Sequence, residues 1–184
     1  MNRPAEAFRS HNLFELGCGY VVVTRFKANG RVEAGFFLLD VFCLGVKDAS
    51  FDQFSSYEEF KSDLLDPLFA EDASVRMTPE AGRKLIEDAV DYARQLGFAP
   101  CPDYRRASRV FGGISKSGCD EAFTFGKDGK PFYIQGTYES AAQCKRILRL
   151  LDARFGEGGY DYIVEAGEYL FEDDAIDEEM ADAP

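Results

Sequence analysis

The chain has 184 residues and a mass of 20.6 kDa, and 46% of its residues are hydrophobic, enough for one packed globular domain and too many for a wholly disordered chain. Its 33 acidic against 21 basic side chains give a formal charge of −12. That balance repels polyphosphate and disfavours a sequence-independent grip on DNA or RNA as the main role.

The cysteines (Cys18, Cys43, Cys101, Cys119 and Cys144) are odd in number, scattered, and include no C-x-x-C pair, which speaks against a disulfide framework. His11 is the lone histidine, so no structural zinc is expected, and no motif calls for a cofactor. Residues 1–30 show no secretory pattern, and the longest apolar run, Gly35 to Gly45, contains Asp40 and is too short to span a bilayer. A soluble, cytoplasmic protein is the expectation.

The first strong signal in chain order is Tyr20–Phe26, β-branched and aromatic, followed by Ala28-Asn29-Gly30-Arg31 and a second apolar run from Val32; this predicts a hairpin. On the second arm Val32, Ala34, Phe36 and Leu38 share one face and Phe37 and Leu39 the other, the pattern of a central strand. Ser56 with Glu59 forms a capping box that starts a helix over about 57–66, which Pro67 should stop. Thr78-Pro79 opens a longer helix with Leu85, Ile86, Ala89, Val90, Ala93 and Leu96 at helical spacing, ended by Gly97. Asp103 can cap a short helix over 104–111. A second hairpin is predicted over 122–136 around Asp128-Gly129. Ser140 and Gln143 box the start of a helix with Cys144, Ile147, Leu148, Leu151 and Phe155 on one stripe, and a last short strand is expected over 160–164. The whole reads as an α+β domain over 1–171, a small antiparallel sheet built from two hairpins and packed by about four helices. An acidic, disordered tail follows over 172–184.

Two groups of residues carry candidate chemistry. Asp40, Cys43 and Lys47 punctuate an apolar run. If the strand continues past Asp40, period two sends Asp40 and Cys43 to opposite faces; if the chain turns helical, all three share one face and Lys47 could favour a Cys43 thiolate. The structural alternative is a cysteine that serves as a small buried hydrophobe while Asp40 caps a turn or pairs with Lys47. Arg105, Arg106 and Arg109 form one cationic helix face and Lys145, Arg146, Arg149 and Arg154 another, either of which could meet an acidic partner or nucleic acid or simply be solvated. No RNA-binding motif accompanies them, so nucleic acid is weakly supported.

The runs Gly19–Arg25 and Gly35–Asp48, the latter containing Cys43-Leu44-Gly45-Val46-Lys47, together with Tyr92–Phe98, Pro102-Asp103-Tyr104 and Phe125–Tyr133, resemble a group of bacterial proteins of no established activity. The resemblance covers about residues 13–162 and implies a bacterial, cytosolic, single-domain protein without transferring a mechanism. Relatives in that group tend to carry histidine before the Pro-Asp-Tyr segment, where this chain has Cys101. The expected function is a non-enzymatic interaction or regulatory module binding another protein, with bacterial defence or conflict systems one setting. A cysteine-dependent enzyme or redox-responsive protein using Cys43 is the alternative, and a nucleic-acid accessory factor a further one. Oligomeric state is not legible.

Overall fold

The computed structural model describes residues 5–165; the acidic segment 172–184, and with it the boundary at 171, lies outside the described residues. The architecture is α+β. Five antiparallel strands form the main sheet in the order β4-β3-β2-β1-β5, where β1 is Glu6–Ser10, β2 Cys18–Phe26, β3 Val32–Asp40, β4 Gly45–Phe54 and β5 Ser74–Met77. As the two-faced apolar pattern predicts, β3 is interior, paired with β2 on one side and β4 on the other. The β2–β3 turn closes by Lys27 N–H donating to the Arg31 carbonyl (2.9 Å) and Gly30 N–H to the Lys27 carbonyl (3.0 Å). Only Gly30 adopts positive φ there, so this is a three-residue loop over Ala28, Asn29 and Gly30.

The period-2 alternation sorts the sheet into two apolar faces. Val21, Val23, Phe37, Leu39 and Ala49 pack beneath α4 (Pro79–Gln95), which presents Leu85, Ile86, Ala89 and Val90. Phe8, Val22, Val32 and Ala34 face Phe60, Leu65 and Phe69. Phe60 and Leu65 belong to a segment that begins as α2 (Tyr57–Phe60), widens into a π-helical turn over Lys61–Leu65 and ends as α3 (Asp66–Leu68), with Phe69 directly after it. Ser56 caps it as predicted, but the helix passes Pro67 because the π turn shifts the hydrogen bonding by one residue: Asp66 N–H donates to Lys61 O. The helix over 104–111 divides into α5 (Tyr104–Ala107) and a 3₁₀ turn over Ser108–Phe111, with no side-chain cap from Asp103.

The region predicted as a second hairpin behaves differently. Asp128 and Gly129 adopt positive φ and make the tight turn, but its ladder stops at one bridge, Lys127 with Lys130. The returning arm, β6 (Phe132–Ile134), instead pairs in parallel with β7 (Asp161–Ile163). Phe123 and Phe125 leave the strand pattern to pack on the core, Phe125 stacked on Tyr92 with centroids 5.4 Å apart. Between β6 and β7 lies α6 (Ala141–Phe155), opened by the full Ser140/Gln143 capping box. Cys144, Ile147 and Leu151 pack there with Cys43, Ala93, Leu96 and Tyr133, while Phe155 lies at the surface. The strand expected at 160–164 thus joins a separate two-stranded sheet.

Gly45, which starts β4 at φ +71°, lies under α4: a Cβ there would sit 2.7 Å from the Ala93 Cβ and 2.8 Å from the Ala89 carbonyl oxygen. Gly30, at φ +83°, faces open space. Gly45→Ala should therefore cost at least about 3 kcal/mol, adding overlap to strain, and Gly30→Ala only about 1 kcal/mol, as read from urea unfolding.

Candidate functional site

The segment that carries Asp40, Cys43 and Lys47 is neither continuous strand nor helix. Asp40 ends β3, residues 41–44 make a tight turn, and β4 begins at Gly45, directly opposite Asp40. The Asp40 carboxylate is buried, and its Oδ1 accepts from the N–H groups of Phe42 (3.0 Å) and Cys43 (2.8 Å). Asp40 and Cys43 therefore do meet, but through the backbone of Cys43 and not its thiol. The turn's outward carbonyls are also engaged: Val41 O accepts from Gly126 N–H (2.9 Å), and Phe42 O from Phe132 N–H (3.1 Å) and the Tyr92 hydroxyl (3.2 Å).

Lys47 is the extra residue of a bulge, because Leu39 pairs with Val46 and Leu38 with Asp48. The bulge frees its side chain from the sheet alternation, and its Nζ lies 2.5 Å from Glu139 Oε1. Glu139 Oε2 in turn accepts from the Tyr133 hydroxyl (2.6 Å) and from Gly136 N–H (3.1 Å). Neither Glu139 nor Tyr133 is legible as a partner of Lys47 from sequence. Glu139 adjoins the Ser140 capping box, which fixes its backbone, but nothing in linear spacing joins it to residue 47.

The electrostatics follow from burial and this pairing. Desolvation pushes the Asp40 carboxyl up to about 6, against the pull of the Cys43 N–H and Lys47. Burial works against the charges of Lys47 and Glu139 as well, but their contact prevails: Lys47 is held above and Glu139 below its ordinary value. Burial, then Asp40 and Glu139, pushes the Cys43 thiol up despite Lys47. Cys18, opposite Asp40 on β2, keeps solvent access on one side, yet the protein around its sulfur and the Asp40 charge push it up too. A fully buried thiol with a raised pKa is a poor nucleophile. In this arrangement Cys43 packs, Asp40 holds a turn and Lys47 ties β4 to the loop before α6.

The two cationic groups are also separated. Arg105, Arg106 and Arg109 are exposed on α5 and the 3₁₀ turn, over β3 and β4, and form no ion pair with another described residue. Arg146, Arg149 and Arg154 are exposed on α6 and Lys145 is half-buried there, beside the Cys144 that packs in the cluster around Tyr133. Arg146 borders a shallow cavity of about 380 Å³ with Glu139 and Gln143. Among the described residues, no three His, Cys, Asp or Glu side chains are placed to hold a metal ion, and no helix is long and apolar enough to cross a membrane.

Two measurements check this reading. Thiol labelling of the native protein should reach Cys18, Cys101 and Cys119 and leave Cys43 and Cys144 untouched until unfolding; a Cys43 that reacts like a free thiol would overturn its packing role. Native Asp40 also holds its proton more tightly than the unfolded chain, whose carboxyl titrates near 3.8, so its contribution to stability falls as pH rises from about 4 through 6. Asn can still accept from the turn. Asp40→Asn should accordingly gain about 2–3 kcal/mol over wild type at pH 7.5 and little at pH 4, in denaturant titrations at both pH values. Comparison with protein-family models, with curated proteins and with solved structures finds no match to this chain.

Proposed function

We propose that this is a non-enzymatic cytoplasmic interaction module that binds, and so regulates, neutralises or scaffolds, another protein. One contrast supports the reading: the side chains that could do chemistry are occupied by the fold, whereas Arg105, Arg106 and Arg109 stand exposed and without an ionic partner among the described residues. Three exposed guanidinium groups on one short segment cost little to the fold and offer planar donors to carboxylates. A bacterial defence or conflict system is one setting for such a module.

Co-purification of the full chain from its native host should return a stoichiometric protein partner. Arg105→Glu, Arg106→Glu and Arg109→Glu combined should reduce its recovery at least tenfold while leaving the melting temperature within a few degrees, since exposed substitutions typically change stability by no more than about 0.5 kcal/mol each. Recovery of no partner by the wild-type chain, or of nucleic acid in its place, would overturn the proposal.

A further inference from the structure

At the end of the sheet away from the Asp40 turn, three polar residues stand side by side on neighbouring strands: Arg25 on β2, Glu33 on β3 and Gln53 on β4. They share the face that carries Phe37 and Leu39. The alternation continues into the turn, where Lys27 and Arg31 oppose each other. The Glu33 carboxylate is nearly buried, with 11% of its side chain accessible, and gathers the neighbouring donors: Arg25 Nη2 at 2.6 Å from Oε2, and Lys27 Nζ at 2.9 Å and Gln53 Nε2 at 3.5 Å from Oε1. Burial alone would raise its pKa; Lys27 and Arg25 hold it below the ordinary value.

The donors here outnumber the acceptors. Arg31 is exposed and forms no ion pair with a described residue, and Arg25 Nε is buried without a hydrogen-bond partner. Lys27, Asn29, Arg31, Glu33 and Gln53 line an open cavity of about 340 Å³. The segment 107–112 supplies a second wall. The Ala107 carbonyl and Val110 lie against Gly35, the next residue from Glu33 on that face, and Gly112 lies against the Arg25 guanidinium, where a Cβ would overlap Nη1. Arg109 falls within this segment and Arg106 just before it. Three cations (Arg25, Lys27 and Arg31) thus gather at one sheet end around the Glu33 carboxylate, beside the segment that carries Arg106 and Arg109, in a chain whose net charge is −12.

We infer that this hairpin end is the docking site of the module, and that it takes an acidic segment of the partner protein whose carboxylates join Glu33 among the guanidinium and ammonium groups. The inference rests on the interaction reading above and gives it a place and a ligand chemistry. Planar guanidinium groups match carboxylates two donors at a time, and the local excess of positive charge steers an acidic segment here and away from the rest of the surface. Nucleic acid fits less well. The exposed large apolar side chains of the described residues are Leu16, Tyr138, Leu150, Phe155, Tyr162 and Ile163, so no base-stacking platform borders the cavity. Across the sheet, Asp52 on β4 and Glu58 and Glu59 at the start of α2 would repel a long polyanion.

The test uses the full chain, a fluorescein-labelled hexaglutamate peptide as probe, and twelve-residue oligothymidine and inorganic phosphate as competitors. Saturable peptide binding should shift the backbone amide NMR signals of residues 27–33, 53 and 106–112. Lys27→Glu with Arg31→Glu, both exposed turn positions, should weaken binding at least tenfold. Lys145→Glu with Arg146→Glu on α6 should change it less than twofold, and Glu33→Gln, which removes the internal competitor, should tighten it. Absence of saturable binding, equal loss from the α6 pair, or preference for oligothymidine would each overturn the inference. The two proposals fail differently: if Lys27→Glu/Arg31→Glu recovers the native partner undiminished, the site assignment falls and the interaction reading stands, whereas a wild-type chain that recovers no partner removes the reading itself.

Discussion

The acceptance of the Phe42 and Cys43 N–H groups by the buried Asp40 carboxylate is the contact on which the rest of the molecule is organised. It closes the turn that folds β3 back into β4, and through the turn's carbonyls it fixes the loop that enters at Gly126 and Phe132 and the hydroxyl of Tyr92 on α4. A carboxylate at this depth is costly unless its charge is answered. It is answered only in part, by backbone N–H groups nearby and the Lys47 ammonium farther off, and Lys47 reaches that position only because a bulge releases it from the strand's alternation. The ammonium then recruits Glu139, and Glu139 recruits Tyr133 and Gly136. One buried charge thereby couples the main sheet to β6 and α6, whose Tyr133, Cys144, Ile147 and Leu151 pack in a separate cluster.

Legibility in the sequence follows how local each feature's cause is. The β2–β3 hairpin, α4 with its Thr78 cap and α6 with its capping box were readable because turn chemistry, caps and periodicity act within a few residues. β1, β4 and β5 were not: Glu6–Ser10 and Ser74–Met77 are too short to show a period, and β4 mixes Asp48, Ser50 and Asp52 with Phe51 along an edge where one face meets solvent. The second hairpin failed for a non-local reason. Its Asp-Gly turn forms as the residues dictate, but the arms find better partners, Phe125 on Tyr92 and β6 on β7, and tertiary packing outweighs turn propensity.

The same distinction applies to the sites. Asp40, Cys43 and Lys47 were visible as polar residues in an apolar run, and the structure resolves them into three separate roles because a turn and a bulge intervene, neither of which spacing alone reveals. Glu139 and Tyr133 were invisible, their link to Lys47 being purely tertiary. Arg105, Arg106 and Arg109 were visible as a cationic face. Arg25, Lys27 and Arg31 at the hairpin end lie some eighty residues away, and Gly35 and Gly112, two positions whose lack of a side chain lets the 107–112 segment lie directly on the sheet, bring that segment against Arg25.

The two ends of the sheet are electrostatic opposites, and the difference in burial decides what each can do. At the turn end two carboxylates share one ammonium in a largely water-free setting, so any change of partner there exposes a desolvated charge and disturbs the fold. At the hairpin end one carboxylate is shared by cations that remain half or fully exposed, so a competing anion can be exchanged for water at small cost. Net charge conceals this contrast. The seven acidic residues of 172–184 carry no basic counterpart, and without them the chain holds 26 acidic against 21 basic side chains, a modest excess that leaves room for a local positive surface. The acidity that disfavours nucleic acid over the chain as a whole is therefore compatible with a cationic patch that selects short acidic segments. Such selectivity comes from the patch being small, with Asp52, Glu58 and Glu59 on the far side of the same sheet: it is attractive over the span of a few carboxylates and repulsive beyond it.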